Sequence, residues 1–254
     1  YFFNDLTIDF IQTGIFKIRI PGLVWIYHKN SKAINSIAQE MAKNGDTEYR
    51  RQEFDTAIAN YKKAISYSPE YTIAIFKLAR TYLKMKDYEN AQITLEKNLS
   101  IDPSQEQSEK MLGDIYRKKG ESEKAMEHYY LAISINGNYY KAFYSLGAAL
   151  LGLSRFEEAK DALNTVILLE PAYAKAYGTL GTIEQELGNI DYAIKNFIKA
   201  TEIEPNSFDI HYRLANAYNL SNQFEDAKKS AKICINIKRN YAPAYFELGV
   251  SEKA

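Results

Sequence analysis

Cysteine and histidine are nearly absent from this chain: there is one cysteine, Cys234, and three scattered histidines, His28, His128 and His211. A single thiol cannot close an internal disulfide, so nothing here demands an oxidising compartment. The same scarcity argues against a structural zinc site. Neither sign of charge is in excess, with 32 Lys+Arg against 32 Asp+Glu. Overall charge therefore points neither to nucleic acid nor to a strongly acidic partner. Long apolar runs are missing too. The best candidate, within "FKIRIPGLVWIYHK" (residues 16–29), is limited by Lys17 and Arg19 to residues 20–27, short of the roughly 18 that spanning a membrane requires. No glycine-rich phosphate loop, metal-ligand cluster or nucleophile paired with a base occurs. The expectation is a non-enzymatic chain without catalytic, cofactor-binding or metal-binding residues and with no cofactor. The histidines and Cys234 are read as surface or packing residues.

What is present is ordered. Apolar residues make up 46% and charged residues 25%, the balance of a folded chain and not a disordered one. Six prolines and twelve glycines are few but regularly spaced. Pro69, Pro103, Pro171 and Pro205 lie on one lattice with a step of 34, and Gly137 and Arg239 fill its remaining nodes. Twelve residues before each node stands an alanine: Ala57, Ala91, Ala125, Ala159, Ala193 and Ala227. A second small residue recurs earlier in each unit, at Gly45, Ala79, Gly113, Gly147, Gly181, Ala215 and Gly249. All but Gly45 follow a leucine.

Within each unit, apolar residues recur at helical spacing over two runs separated by a polar turn. In one, Phe143, Leu146, Gly147 and Leu150 form the first stripe, and Phe156, Ala159, Leu163 and Val166 the second. Ser154, with Glu157 three residues on, reads as a capping box that starts the second helix. Gly120 and Gly188 occupy the same turn, where a helix C-terminus favours glycine. Proline at the node stops the second helix.

These residues resemble the tetratricopeptide repeat (TPR) family, whose signature is W-x2-L-G-x2-Y, then A-x3-F, A and P. "FYSLGAALLGLSRFEEAKDAL" and "YGTLGTIEQELGNIDYAIKNFIKA" match it closely. The resemblance implies an all-α fold, a right-handed α-solenoid of antiparallel helix pairs, with a non-repeat segment over residues 1–37. Repeats are expected at 38–71, 72–105, 106–139, 140–173, 174–207 and 208–241, with the first helix of a seventh at 242–254. Some residues depart from the pattern. Glu109 and Glu184 replace large apolar residues, Asn98 replaces a small one, and Asn44 and Glu48 make the first repeat the most degenerate.

The resemblance also implies function. An array of helix pairs has no deep pocket of its own and offers the concave face of its first helices, where family members hold an extended peptide or a partner helix. On the family's inward positions lie Lys43, Arg50, Lys77, Arg80, Lys84, Lys110, Arg117, Lys118, Lys141, Lys175 and Arg213, opposed by Asp46, Asp114, Glu186 and Asp209. A basic groove in a neutral chain favours an acidic protein or peptide partner; solubilising lysines would give the same pattern. Phe76, Tyr144, Tyr212 and Phe246 recur at one inward position, and Ala148, Leu151 and Gly178 extend an apolar floor. Asn216 completes the candidate groove. The frame of chaperone-binding members falls on Lys110, Asp114, Ser145, Lys175 and Thr179, with aspartate where they carry asparagine. No standard chaperone clamp is expected, and neutral charge speaks against nucleic acid.

The two ends stand apart. "IFKIRI" alternates apolar and basic residues and reads as a short strand or extended piece. Pro21 is placed to open a helix over residues 22–28, and helical spacing resumes at Ser31. Three roles stay open for Phe16, Ile18, Leu23, Trp25, Ile26 and Tyr27: a cap on the first repeat, a membrane-surface anchor, or a partner-binding arm. The chain starts at Tyr1 and closes on a helix patterned for a successor, so it is read as part of a longer protein. Rival roles are a structural subunit of a larger, envelope-associated complex and the regulatory array of an enzyme. No compartment is assigned; the cytoplasm fits, and a bacterial periplasm or a membrane-associated setting stays open.

Overall fold

The computed structural model describes residues 7–10, 16–19 and 24–253, with side chains from Ile34 to Lys253. Two strands, β1 (Thr7–Phe10) and β2 (Phe16–Arg19), pair antiparallel with Thr7 opposite Arg19 and Phe10 opposite Phe16. The alternating segment is thus a strand over Phe16–Arg19, and its partner β1 was not anticipated. Helices follow in pairs. The first of each pair are α1 (Val24–Arg50), α3 (Thr72–Lys84), α5 (Glu106–Lys118), α7 (Tyr140–Gly152), α9 (Ala174–Glu186), α11 (Phe208–Leu220) and α13 (Ala242–Lys253). The second are α2 (Phe54–Tyr67), α4 (Tyr88–Ile101), α6 (Ser122–Ile135), α8 (Phe156–Leu169), α10 (Ile190–Ile203) and α12 (Phe224–Ile237). From α3 onward, and throughout the second series, starts recur every 34 residues. The fold is an all-α solenoid of antiparallel pairs. It forms two compact units that divide within α5, one ending at Ile115 and the other beginning at Tyr116.

One expectation at the N-terminal end is corrected. The two separate helical stretches, residues 22–28 and from Ser31, are one helix, since α1 runs unbroken from Val24 to Arg50. No proline or glycine stands between Val24 and Asn44 to stop it. Leu23 lies outside the described residues, and so do the side chains of Phe16, Ile18, Trp25, Ile26 and Tyr27.

The helices form because each carries one apolar stripe, and a paired helix covers it. In α7 the buried set is Ala142, Ser145, Leu146, Gly147, Ala149 and Leu150; in α8 it is Ala159, Ala162, Leu163 and Val166. Phe143 and Phe156 pack partly buried against this cluster. The recurring small residue sets the distance within a pair. A Cβ on Gly45 would lie 2.6 Å from the Tyr61 ring, one on Gly181 2.6 Å from the Phe197 ring, and one on Gly147 2.9 Å from Leu163. In each case the contact is 16 residues further on, in the second helix. At the equivalent positions of two other repeats the pair is Ala79 and Leu95 or Ala215 and Ala231, all four buried.

The turn inside each pair is equally regular. Gln52, Lys86, Gly120, Ser154, Gly188 and Asn222 all adopt positive φ, between 56 and 80°, and they fall on the 34-residue lattice. The residue after each donates its N–H five positions back: Glu53 to Glu48, Asp87 to Tyr82, Glu121 to Tyr116, Arg155 to Leu150, Asn189 to Glu184 and Gln223 to Tyr218. This is a Schellman closure of the first helix. It corrects the capping box. Ser154 sits at φ 56° as the left-handed closing residue of α7, and the N-cap of α8 is Arg155, with no side-chain cap bond. Asp87 does cap α4, accepting from the Asn90 N–H.

Two of the departures from the family pattern, Asn98 and Glu184, find side-chain partners, although the buried Asn98 Oδ1 has none. Asn98, fully buried, donates to the buried Ser108 hydroxyl at 3.0 Å, which replaces the alanine pair found one step later at Ala132 and Ala142. Glu184, 8% exposed, meets the Lys160 ammonium at 2.6 Å and accepts from the Asn189 amide at 2.9 Å. Burial alone would raise its pKa, but the bonds from Lys160 and Asn189 prevail and hold the carboxyl below its usual 4.5. Cys234 is fully buried, and burial raises its thiol pKa. His211 is buried with Nε2 2.9 Å from the Pro205 carbonyl, and His128 stacks on Tyr116.

Three measurements check these arrangements. Gly181→Ala drives a methyl into a ring that has no room to move, and urea unfolding is expected to show a net loss of about 1–2 kcal/mol despite alanine's better helix propensity. Ser154→Gly relieves a left-handed non-glycine residue and is expected to raise stability by about 0.5–1 kcal/mol. Because the folded-state pKa of Glu184 is depressed, its contribution is complete above the unfolded value of 4.5 and fades as pH falls through the folded one. The stability advantage of the native chain over Glu184→Gln is therefore expected at neutral pH and should shrink below pH 4.5.

Candidate protein-interaction site

First helices pack beside one another with a fixed offset. Lys77 meets Asp46, Gln185 meets Asn216, Arg213 meets Thr182 and Asn216 meets Glu247, and each pair is 31 residues apart. The offset is one repeat less about one helical turn, so a side chain reaches the neighbouring helix one turn back. These pairs consume several residues expected to be free. Asp46 binds the Lys77 ammonium at 2.6 Å and accepts from the Tyr61 hydroxyl at 2.8 Å. Lys110 pairs with Asp114 at 2.5 Å along α5, and Arg213 with Asp209 at 2.9 Å along α11. Three of the four acids on the inward positions thus neutralise three of the bases. Arg80 lays its guanidinium 4.7 Å from the Tyr49 ring centroid, a contact worth about 0.5–1 kcal/mol. Asn216 is a link in a chain: it accepts from Gln185 and donates to the buried carboxylate of Glu247, which Asn219 also holds at 2.7 Å.

The basic residues left without an ion pair among the described residues include Arg117, Lys141 and Lys175. Arg117 is exposed at the end of α5. Lys141 places its ammonium 5.7 Å from the Tyr140 ring centroid. Phe76 is half-buried on α3, whereas Phe246 on α13 is 70% exposed.

In the second compact unit, five of the candidate residues converge. Tyr144, Ala148 and Leu151 of α7, with Lys175 and Gly178 of α9, line one cavity of about 410 Å³. Its other walls are Thr179 and Thr182 of α9, Glu204 and Ser207 in the turn after α10, and Asp209, Ile210 and Arg213 of α11. The size is that of a site for a ligand or a side chain. Its lining mixes apolar residues with polar ones, among them the unpaired Lys175, while Asp209 and Arg213 answer each other across one turn. The hydroxyls of Thr179 and Thr182 donate to their own helix at Lys175 and Gly178. Tyr144 is fixed edge-on to Tyr173, 5.2 Å between centroids, and Tyr173 in turn to Tyr140 at 5.3 Å. Burial, with the neighbouring Tyr144 and Tyr140, pushes the Tyr173 phenol up to about 12. Tyr212 is held the same way against Tyr241 at 5.4 Å. Sequence reasoning missed Thr182, Glu204, Ser207 and Ile210; the 31-residue offset between first helices is the signal that reaches Thr182 from Arg213.

Among the described residues, no helix is long and apolar enough to cross a membrane, and no group of three or more His, Cys, Asp or Glu is placed to hold a metal ion.

Models described as tetratricopeptide repeat match residues 49–115, 140–173 and 208–241, and one described as TPR repeat matches 113–154 and 181–222. The chain belongs to the tetratricopeptide repeat family. It is similar to a BBSome complex member BBS4 homolog of Drosophila melanogaster, 23% identical over 220 residues, covering 86% of this chain and 44% of that protein. A DnaJ homolog subfamily C member 7 homolog of Dictyostelium discoideum is 22% identical, over 96% of this chain and 40% of that protein. The chain therefore spans less than half the length of these relatives. In structure it resembles a chain of the APC/C hetero-tetramer Cut9-Hcn1, with a TM-score of 0.74 and 16% identity over 88% of this chain and 45% of that one. That likeness concerns the fold.

Proposed function

We propose that this chain is a non-enzymatic interaction scaffold that holds an acidic, extended or helical segment of a partner protein against the concave face of its first helices. The observation that carries the reading is the convergence of Tyr144, Ala148, Leu151, Lys175 and Gly178, from two first helices, on one open cavity. The family gives the face, the cavity gives an anchoring point, and Lys141 and Lys175 supply cations that no carboxylate of the described chain answers. Arg117 and, in the first compact unit, Phe76 and Arg80 belong to the same inward series, with Arg80 offering a stacked guanidinium and Phe76 a half-buried ring. A relative named as a complex member fits a scaffold role. Acidity of the partner is supported by the surplus that remains after the internal pairs: three of the four inward acids are spent on Lys77, Lys110 and Arg213, leaving Glu186, whereas Lys141 and Lys175 have no ion pair among the described residues. Such charges act mainly by steering and register, and less by raw affinity.

The test is affinity purification with the native chain and with the Lys141→Glu/Lys175→Glu double variant. Both lysines are exposed, so the variant should melt with the native chain. Partners captured by the native chain are expected to fall by at least tenfold with the variant, more steeply at low salt. Equal recovery would sink the concave-face reading.

A further inference from the structure

The cavity of the second unit lies where one repeat lacks a set of aromatic rings that both its neighbours carry. In α7 and the turn that follows α8, Tyr140, Tyr144 and Tyr173 form an edge-on cluster, with centroids 5.3 and 5.2 Å from Tyr173. Sixty-eight residues later Phe208, Tyr212 and Tyr241 repeat it, at 5.1 and 5.4 Å from Tyr241. The equivalent positions between them are Ala174, Gly178 and Ser207. Gly178 and Ser207 line the cavity, and Tyr144 of the preceding cluster forms its wall.

Gly178 has no structural reason to be glycine. It sits inside α9, where glycine costs about 1 kcal/mol relative to alanine. A Cβ there would meet only Ile210 Cγ1, at 3.9 Å, an ordinary contact. Gly45, Gly147 and Gly181 are dictated by contacts under 3 Å and Gly120 and Gly188 by positive φ, but neither cause applies to Gly178. Its effect is the space itself.

We infer that this cavity is a receptor for one aromatic side chain, phenylalanine or tyrosine, carried by an acidic segment of a partner protein, whose ring completes the missing cluster. The inference rests on the concave-face reading above and adds to it the residue that is recognised. An entering ring finds Tyr144, Ala148, Leu151 and Ile210 on the lining of the cavity. Aromatic pairs favour this edge-on geometry at 4.5–7 Å between centroids, beyond the gain from area alone. A flanking carboxylate is answered by the ammonium of Lys175 at the mouth, which has no ion pair among the described residues. Of the two carboxylates on the lining, Asp209 is already paired with Arg213, and Glu204 is the one a basic flank would meet, which the Lys-flanked peptide tests.

The experiment uses the full chain and four fluorescein-labelled peptides read by anisotropy: Ser-Asp-Xaa-Asp-Ser with Xaa as Phe, Leu or Ala, and Ser-Lys-Phe-Lys-Ser. The Asp-flanked Phe peptide is expected to bind at least tenfold tighter than the other three. Gly178→Tyr supplies the ring from within and should weaken that peptide at least tenfold, with a melting temperature no lower than native. If that variant melts early, Ser207→Tyr fills the same space from the opposite wall. Lys175→Glu should narrow or reverse the preference for acidic over basic flanks. Equal binding of the Phe and Leu peptides, indifference to both tyrosine variants, or no detectable binding of the Phe peptide would each overturn the receptor. If all Asp-flanked peptides bind alike and all weaken with Lys141→Glu/Lys175→Glu, the aromatic receptor falls and the concave-face reading stands. Partner recovery in the purification experiment decides that broader reading by itself.

Discussion

The structure depends on how closely two helices of a pair can approach. At Gly45, Gly147 and Gly181 the side chain must all but vanish, because the second helix drives a residue straight at the backbone of the first. Glycine faces a ring at Gly45 with Tyr61 and at Gly181 with Phe197; alanine stands with a smaller neighbour at Ala79 with Leu95 and Ala215 with Ala231. The two positions trade volume so that their sum stays bounded, as close packing requires. Fully burying a ring such as Phe197 contributes roughly 1.5–3 kcal/mol, and a single added methyl at its partner puts that at risk. Everything else in a repeat follows from this contact, since it fixes which face of the first helix is covered and which is left for neighbours or partners.

The left-over face is more self-sufficient than its composition suggests. Adjacent first helices join through side chains 31 residues apart, so Lys77 and Asp46, Arg213 and Thr182, and Asn216 and Glu247 are internal ties. An exposed pair such as Arg213 and Asp209, with 40% and 48% of their side chains exposed, contributes little to stability. Such pairs do remove charge from the surface that a partner would meet. What remains in the second unit is a cavity of mixed polar and apolar lining near two lysines without an ion pair among the described residues, a more specific surface than a uniformly basic groove.

The 34-residue period, the helix pairs and the small-residue positions could all be read from residue type alone, because each arises from contacts repeated identically in every unit. Misreadings arose where one residue type serves two local purposes. Ser154 followed by Glu157 has the form of a capping box, yet the chain reverses one residue later than that motif assumes and spends Ser154 on the left-handed turn. At the other end, Pro21 followed by a change of pattern suggested two helical pieces, and uninterrupted helix-permitting residues produced one. Lys110, Asp114, Asn216 and Arg80 were read as groove residues, but their pairing with one another, with Glu247 and with the Tyr49 ring depends on rotamers and on a lateral offset that periodicity does not contain.

By itself the sequence determined the family and the pairing of helices, because a strict repeat leaves the chain one way to bury its stripes. The tertiary structure decided which inward residues are spent on one another and which enclose a space. That difference has a physical cause: burial is fixed along a helix by its own period, whereas a cavity is made by the residues that are missing between two helices, and only their relative placement reveals that Gly178 and Ser207 leave room beside Tyr144.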